Sequence, residues 1–449
     1  MKKKLLAALL ACTMVAGVTA CGSGSGSSSA DTSSDAEAAQ QTESSDSGEK
    51  VKLVYYGWTD EQSYLDPLFE EFNAQSTDAE IVGQYCAVDE YEEVVTSAMA
   101  AQTSIDVVAI NGLGSMNNYQ EKGYLMDMSE YADAAGFDPA EVYGDMYSGA
   151  NADGMYGLPY RQAVWLMFYN KTMLDELGIE IQTDHSYTWE EYRTLCQEVE
   201  DGLKAEGKDI ESDPNTGCYA GLVGMNKYVT PAQKGIRLDD EDTSAIEEFW
   251  TLWDNLQKDG THLPYAEKLE YSTNVGSVYW VAGRVCFFQN ATWGIANYNS
   301  KVASGEMPFE YGIMQYPVPE GVEDNTNLTQ PNFFGIPVTS QHPEQAYEFI
   351  QWACTKEGAM KLAEQSVLPA YPDDEVSAKY AEMTEQKDDV LQRMITSKNN
   401  RLSDLCFENF TEVQSAYEEQ MESFLCGNES LEDALNNFVT KRADILGTN

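Results

Sequence analysis

The chain combines a length of 449 residues with an extreme acidic balance. It carries 75 Asp or Glu residues against 27 Lys or Arg residues, for a formal net charge of −48. This charge argues against nucleic acid, anionic membrane surfaces and polyanions as partners, and it leaves neutral or cationic ligands. The length suggests two or more lobes. With so many carboxylates, a catalytic acid–base pair cannot be inferred from their number.

The N-terminus has the pattern of a secretory leader followed by a lipid-attachment site. Three lysines precede an apolar stretch, residues 5–18, that is too short for a comfortable membrane span. Small residues then lead to Cys21, whose thiol we expect to carry a lipid after removal of a signal peptide, residues 1–20. Residues 21–49 lack aromatic and apolar β-branched residues, which predicts a flexible tether. We therefore expect a lipid-anchored protein on the outer face of the cytoplasmic membrane.

Residues 51–110 predict alternating strands and helices. Short apolar runs at 51–56, 81–85 and 105–110 are typical of strands. Two amphipathic stripes lie between them: Leu65, Leu68, Phe69 and Phe72, then Tyr91, Val94, Val95 and Ala98. This order predicts a parallel sheet, and ligands of such sheets bind beyond the carboxyl ends of the strands. Those ends are predicted at residues 57–61 and 111–115.

The stretch 153–171 is the most informative part of the chain. It opens with a Gly-bearing turn, and the residue before Pro159 is forced into extended backbone. The apolar run 164–169 predicts a strand buried on both faces, as in a parallel sheet between helices. Aromatic and hydrogen-bonding side chains crowd the start of this strand: Tyr156, Tyr160, Arg161, Gln162 and Trp165. The residues alone favour core packing for this cluster.

Later segments predict helices with recognisable ends. Residues 188–191 have the Thr-x-x-Glu pattern of a capping box and predict a helix to about residue 204. A second helix is expected over 244–258, and the acidic run 239–242 is expected to be a solvated turn rather than a calcium loop. Residues 311–317 predict a strand that leaves for the other lobe. The pattern from residue 373 onward is helical.

Cysteines and histidines give no sign of a metal or catalytic centre. The seven cysteines that follow Cys21 show no C-x-x-C spacing, so we expect buried free thiols, with a single bridge such as Cys406–Cys426 left open. The three histidines are far apart in sequence. No G-x-S-x-G or H-E-x-x-H motif occurs in the sequence. We expect no metal and no cofactor.

Five segments, taken in order, resemble one known family. They are SIDVVAINGLGSMNNYQEKGYLMDMSEY, then DGMYGLPY with FYNKTMLDELGI and TWEEY, then VAGRVCFFQNATW, then NFFGIP with SQHPEQAYEFIQWACTKEGAMKLAEQSVLPA, and finally GNESLEDAL. Together they cover nearly all of residues 51–446. They resemble the extracellular solute-binding proteins that deliver sugars to ABC importers, the maltose-binding-protein-like family. One departure is 290–292, where that family often has a glycine.

The resemblance implies an α/β, two-lobed periplasmic-binding-protein-like fold of type II with a hinge between the lobes. Lobe 1 would comprise residues 50–160 and a return segment, 316–352. Lobe 2 would comprise residues 161–315, and 353–449 would add to lobe 2 and supply the C-terminal helices. The implied protein is not an enzyme. It would bind a carbohydrate, an oligosaccharide by expectation, and deliver it to the permease subunits of an ABC transporter. We expect a monomer.

The candidate ligand contacts come from the predicted strand ends, the crossings between lobes and the resemblance. A flat Trp ring can bury the apolar face of a sugar while polar neighbours satisfy the hydroxyls. The resemblance implies that Trp293 supplies such a stacking ring, whereas we expect Trp280 to lie in the core. Arg161 could equally pair with an acid. The full set is Trp58, Asp60, Glu61, Asn111, Gly112, Tyr160, Arg161, Trp165, Trp293, Asn332 and Phe333.

Two other functions stay open at this stage. A secreted glycoside hydrolase would need two positioned carboxylates. A receptor with the same fold could instead bind a peptide or a polyamine, and only the wealth of aromatic residues favours a sugar. Asp60 and Glu61 could also be simple first-turn acids that are favoured by a helix dipole.

Overall fold

The structure is a computed structural model that describes residues 50–148, 154–208, 217–219, 229–269, 275–385, 389–403 and 407–448. The strands in these ranges are β1 (Val51–Trp58), β2 (Ala79–Cys86), β3 (Val107–Ile110), β4 (Leu158–Asn170), β5 (Gly217–Tyr219), β6 (Val285–Ala291), β7 (Tyr311–Met314), β8 (Leu328–Gly335) and β9 (Arg401–Leu402). The predicted leader, Cys21, the tether and Cys406 lie outside the described residues.

Helices make up most of the remaining described chain, together with a short 3₁₀ turn at Thr59–Glu61. They are α1 (Gln62–Gln75), α2 (Tyr91–Ala100), α3 (Gly112–Glu121), α4 (Ser129–Ala135), α5 (Pro139–Tyr143), α6 (Asp145–Ser148), α7 (Lys171–Leu177), α8 (Trp189–Glu206), α9 (Val229–Lys234), α10 (Ser244–Lys258), α11 (Tyr265–Lys268), α12 (Val275–Val281), α13 (Gly294–Ser304), α14 (Pro343–Cys354), α15 (Lys356–Glu364), α16 (Asp374–Met383), α17 (Asp389–Ile395), α18 (Phe410–Leu425) and α19 (Leu431–Leu446). None of these described helices is both long and apolar enough to cross a membrane.

The strands form one continuous hydrogen-bonded order, β2-β1-β3-β8-β4-β6-β5, with β7 beside β4 and β9 beside β8. β2, β1 and β3 are mutually parallel, which confirms the prediction from residues 51–110. β8 is antiparallel to β3, and β4 is antiparallel to β8, β6 and β7. The sheet therefore continues from a parallel half into a half built around β4.

β4 is buried on both faces, as its apolar sequence predicted. Trp165 and Met167 pack into one hydrophobic cluster, whereas Val164, Leu166 and Phe168 pack into another on the opposite face. The expectation of parallel neighbours was wrong, because β6, β7 and β8 all run antiparallel to β4. Burial on both faces requires a layer of structure on each side of a strand, and it does not fix the direction of neighbouring strands.

Two strands link the hydrophobic core around β1–β3 to the cores around β4 and β6. β4 begins in the first core at Leu158 and ends among the others, and β8 runs from Leu328 back to Phe333 and Phe334 in the first core. A return to the first lobe was predicted for residues 316–352, which contain β8, and the strand at 311–317 was expected to leave for the other lobe. Its observed counterpart, β7, instead stays paired with residues 167–170 of β4. The return along the chain is made by β8.

Helix patterns are confirmed where the spacing of apolar residues is regular. The buried residues of α1 are Leu65, Leu68, Phe69 and Phe72, as predicted. The predicted capping box at Thr188 and Glu191 is present at the start of α8. Helix α10 has the predicted ends. In α2 the inward stripe is Tyr91, Val95 and Met99, and Val94 is exposed because it lies three residues on from Tyr91, to one side of that stripe.

The cysteines with described side chains are free thiols. Cys196, Cys286 and Cys354 are buried, and Cys86 and Cys426 are half-buried. Burial raises the pKa of the Cys286 and Cys354 thiols well above the usual value, which keeps them protonated. The expectation of free thiols is confirmed for these five. Most behave as small core side chains.

Candidate functional site

The crossing strands β4 and β8 present a mixed polar and aromatic surface on one side. Side chains alternate along a strand, so Arg161, Ala163 and Trp165 of β4 point to the same face. Their partners in register on β8 are Asn332, opposite Arg161, and Gln330, opposite Ala163. We call these five residues the tryptophan face. Since both strands link the core around β1–β3 to the cores around β4 and β6, the face lies between these cores.

Trp293 extends the tryptophan face with an exposed ring. It follows β6 and stands directly before α13, as the sequence predicted. Its ring meets Trp165 edge to face, with the centroids 5.1 Å apart and an interplanar angle of 81°. Trp165 is 3% exposed, but Trp293 is 42% exposed. A large apolar ring that is held by a buried partner and open to solvent is suited to stacking against a ligand.

The end of β3 meets the tryptophan face through an amide pair. Asn332 donates a hydrogen bond from Nδ2 to Oδ1 of Asn111, at 2.9 Å. Asn111 is exposed and Asn332 is buried. The next residue, Gly112, begins α3 with φ of 79°, a backbone conformation that favours glycine. The loop beyond the third strand, which the sequence singled out, is thus brought to the crossing strands.

The end of β1 reaches the same region through Trp58. Its ring is buried and packs edge to face on Tyr91, with the centroids 5.1 Å apart. The guanidinium carbon of Arg161 lies 5.8 Å from the centre of the Trp58 ring, within the range of a cation–π contact. Asp60, in the following turn, is exposed. The structure therefore brings the β1 end, the β3 end and the tryptophan face together.

Glu61 differs from the other candidates because protein groups fully surround its carboxylate. It is buried and accepts hydrogen bonds from the hydroxyls of Tyr55 at 2.8 Å, Tyr64 at 2.7 Å and Tyr160. Arg161 donates to it from Nε at 3.3 Å, and Nη2 lies 3.3 Å from the same oxygen. Burial, together with the charge of Glu61, raises the pKa of the Tyr55 and Tyr160 hydroxyls. Both hydroxyls therefore stay protonated and donate.

Three of the predicted contacts support the site from within the protein. Besides Glu61, Tyr160 is buried and stacks on Phe334 with the ring centres 3.9 Å apart. Phe333 belongs to the core around β1–β3 and is fully buried. Their side chains are covered by other residues, so the structure places them behind the surface that a ligand would touch.

Sequence reasoning did not identify several neighbours of the site. Tyr64 could have been found, because it lies three residues after Glu61 in a predicted helix. Gln330 of the tryptophan face carries no local signal. Phe410 of α18 packs against α3, and a Cβ at Gly114 would lie 3.5 Å from its ring. That contact joins segments almost 300 residues apart, which no local pattern encodes.

A separate cavity of about 780 Å³ lies against the opposite face of the crossing strands. Gln162 of β4 and Thr329 of β8 line it, together with Tyr143, Leu368 and Pro369. Gln162 alternates with Arg161 and therefore points away from the tryptophan face. None of the candidate residues from the sequence lines this cavity.

A family model described as bacterial extracellular solute-binding protein matches residues 67–386. The chain belongs to this family. The match spans both linking strands and Trp293.

Solved structures support the same fold for this solute-binding protein. It resembles a sugar transporter protein from Rhizobium etli in an open conformation, at 23% identity over 87% of this chain and 99% of that one, with a TM-score of 0.73. It also resembles an ABC substrate-binding protein from Listeria monocytogenes in complex with cycloalternan (19% identity, 89% and 100% coverage, TM-score 0.74). A third similar structure is the sugar-binding protein MalE from Xanthomonas citri, at 17% identity over 89% of this chain and 98% of that one, with a TM-score of 0.67. The predicted two-lobed α/β fold is confirmed.

Proposed function

We propose that this solute-binding protein binds a carbohydrate between its lobes and delivers it to the permease of an ABC transporter. The observation that carries the proposal is the exposed Trp293 ring, held edge to face on Trp165 beside the hydrogen-bonding groups of the tryptophan face. The relatives from Listeria monocytogenes and Thermotoga lettingae, in complex with cycloalternan and α-D-tagatose, support a sugar as the ligand class.

The chemistry of the face suits a sugar ring. Stacking on Trp293 would remove about 50–100 Å² of apolar surface from water and stabilise the complex by roughly 1–3 kcal/mol. Exposed Asn111, buried Asn332 and the guanidinium of Arg161 offer donors and acceptors for hydroxyls at the ring edge. Two or three such contacts reach micromolar affinity without a charged ligand. Trp58, Asp60 and Gly112 remain proposed neighbours of the ligand.

We further propose that the protein carries out no reaction on its ligand. The support is the state of Glu61, the predicted site residue most suited to acid–base work. Its oxygens accept from three tyrosine hydroxyls and Arg161, and its side chain is fully buried. A glycoside hydrolase needs carboxylates that reach the scissile bond from two sides. Glu61 cannot serve as one of them in this arrangement.

A thermal-shift screen of residues 50–449 tests the proposed ligand class. The panel would contain mono- and oligosaccharides, amino acids, short peptides and polyamines. A melting temperature that rises with the concentration of one group of sugars, and not in Trp293→Ala, would support the proposal. Shifts with peptides or polyamines alone would overturn the sugar assignment.

The lipid anchor at Cys21 is a separate proposal and needs its own test. We expect the full chain to incorporate a labelled fatty acid and to sediment with membranes. Cys21→Ser should lose the label and leave the protein in the soluble fraction, because thioether attachment needs the thiol. Membrane association that is unchanged in Cys21→Ser would contradict the anchor. The monomeric state is tested by sedimentation of the same soluble variant.

A further inference from the structure

We propose that Glu61 is the built-in counter-ion of Arg161, so that a ligand meets this guanidinium as a charge-balanced hydrogen-bond donor. The consequence is selection of an uncharged solute over its acidic analogue. The inference rests on the proposed function, because it concerns the same site, and it assigns Glu61 a positioning role rather than a contact with the ligand.

The geometry fixes one side of the guanidinium and leaves another available. Nε and Nη2 of Arg161 both lie 3.3 Å from Oε1 of Glu61. Within the described part of the chain, Nη1 of Arg161 has no hydrogen-bond partner. The Arg161 side chain is 12% exposed, whereas that of Glu61 is fully covered. A guanidinium has five N–H donors in a fixed fork, so engagement of one side orients the rest.

The surroundings make the pair costly to separate. The guanidinium carbon lies 5.7–5.9 Å from the ring centres of Trp58, Tyr64 and Tyr160. These rings exclude water and therefore strengthen the attraction between the two charges. Tyrosine hydroxyls donate further hydrogen bonds to the carboxylate of Glu61 and fix its position. Glu61 is thus held in place and cannot move aside for a second anion.

The position of the pair connects it to the tryptophan face. Arg161 lies in register with Asn332, which bonds to Asn111. The residue opposite Arg161 in the sheet and its hydrogen-bond partner therefore both carry neutral amides. A carboxylate on the ligand would find no uncompensated positive charge there, and it would approach a buried anion in a chain whose formal net charge is already −48. A hydroxyl meets neither obstacle.

The first test asks whether the Glu61 carboxylate takes the place that a bound anion would otherwise take beside the Arg161 guanidinium. Three proteins are compared: wild type, Glu61→Gln, and the double variant Glu61→Gln with Arg161→Met. Sulfate replaces chloride at constant ionic strength while the melting temperature is measured. The general stabilisation by sulfate is common to all three. We expect an additional rise in Glu61→Gln alone, because its guanidinium lacks a counter-ion. An equal sulfate effect in all three proteins would overturn the inference.

The second test concerns selectivity and uses matched pairs of sugars. The pairs are glucose with glucuronate, galactose with galacturonate, and galactobiose with digalacturonate. We expect wild type to prefer the neutral member and Glu61→Gln to shift the affinity ratio toward the acidic member by about tenfold or more. Tight binding of an acidic member by wild type would overturn the inference. If wild type bound no sugar at all, the proposed function would fail, and the sulfate comparison would still decide the role of Glu61.

Discussion

Two tryptophans show how differently this chain uses the same side chain. Trp293 is 42% exposed, whereas Trp280 is fully buried among Phe168, Phe288 and Phe309. We predict that Trp293→Ala weakens sugar binding roughly 10- to 100-fold, through the loss of about 1–3 kcal/mol of stacking. The free energy of unfolding should fall by less than in Trp280→Ala, because the Trp293 ring is only partly buried and its loss opens no closed cavity. Fluorescence titration and urea unfolding measure the two effects.

Trp280→Ala is the matched control for the exposed ring. Removing a fully buried Trp leaves a cavity, so we expect a loss of about 3–5 kcal/mol of stability. We expect Trp280→Ala to change sugar affinity only to the extent that it lowers the fraction of folded protein. Similar losses of stability in both variants would contradict the distinction between a ligand face and a core residue.

His262 gives a pH dependence that belongs to a single residue. Burial lowers its pKa from 6.5 to about 3. Because the pKa is lower in the folded state than in the unfolded state, acid favours unfolding. The stability contribution is complete above about pH 6.5 and is lost as the pH falls toward 3, by roughly 1.4 kcal/mol per pH unit.

The comparison of wild type with His262→Gln isolates this effect from the many carboxylates. We expect the difference in the free energy of unfolding between the two proteins to shrink from pH 7 to pH 4. Urea unfolding at several pH values measures it. A difference that stays constant over this range would contradict neutral burial of His262.

Single residues were predictable from the sequence where their environment is local, and not where it depends on distant segments. Trp293 was predicted correctly as a helix-start residue, because the strand before it is encoded locally, and Trp280 was predicted correctly as core from an apolar position in a helix. The partner of Arg161 was left open, since any of 75 acids could have served. Glu61 precedes Arg161 by 100 residues, and the two meet only when β1 and β4 take their places in one sheet. Local patterns carry no information about that juxtaposition.

At the scale of elements, α8 offers a clean test of a sequence signal. The Thr188 hydroxyl accepts from the backbone N–H of Glu191, and the Glu191 carboxylate accepts from the backbone N–H of Thr188. We predict that Thr188→Ala lowers the free energy of unfolding by about 1 kcal/mol, because the backbone N–H of Glu191 loses its acceptor. Urea unfolding measures this change.

The control lies on the same helix. Thr194 is exposed, and its hydroxyl donates to the carbonyl of Glu190 one turn earlier. Thr194→Ala keeps the cap and improves the intrinsic helix propensity, so we expect stability to be unchanged or slightly raised. If both variants lost the same free energy of unfolding, the loss would come from removing any threonine hydroxyl on this helix, and the cap would contribute no stability of its own.

Helices and strands were predictable where regularly spaced apolar residues determine which face is buried. The stripe of α1 follows from one periodic pattern, and it is confirmed, as are the predicted ends of α10. The double-sided burial of β4 followed from its composition. The antiparallel direction of its neighbours did not, because it depends on how later strands return to it. The pairing of β7 with β4 is an outcome of the same kind, whereas β8 lies within the segment 316–352 that was predicted to return.

At the scale of the whole molecule, the two long strands β4 and β8 pass between the core around β1–β3 and the cores around β4 and β6. A rotation between lobes would act on β4 and β8, whose two faces bear the tryptophan face and the 780 Å³ cavity. We therefore expect a ligand on the tryptophan face to draw the lobes together there. Small-angle scattering should show a smaller radius of gyration with sugar than without it. An unchanged radius at saturation would contradict closure.

The most direct test of carbohydrate binding without chemistry is isothermal titration of residues 50–449 with the sugar that gives the largest thermal shift, followed by analysis of the recovered sugar. We predict saturable 1:1 heat, an unaltered sugar, and heat that is lost or strongly weakened in Trp293→Ala. The absence of saturable heat with every carbohydrate would contradict the receptor, and a shortened sugar would show that the protein is an enzyme.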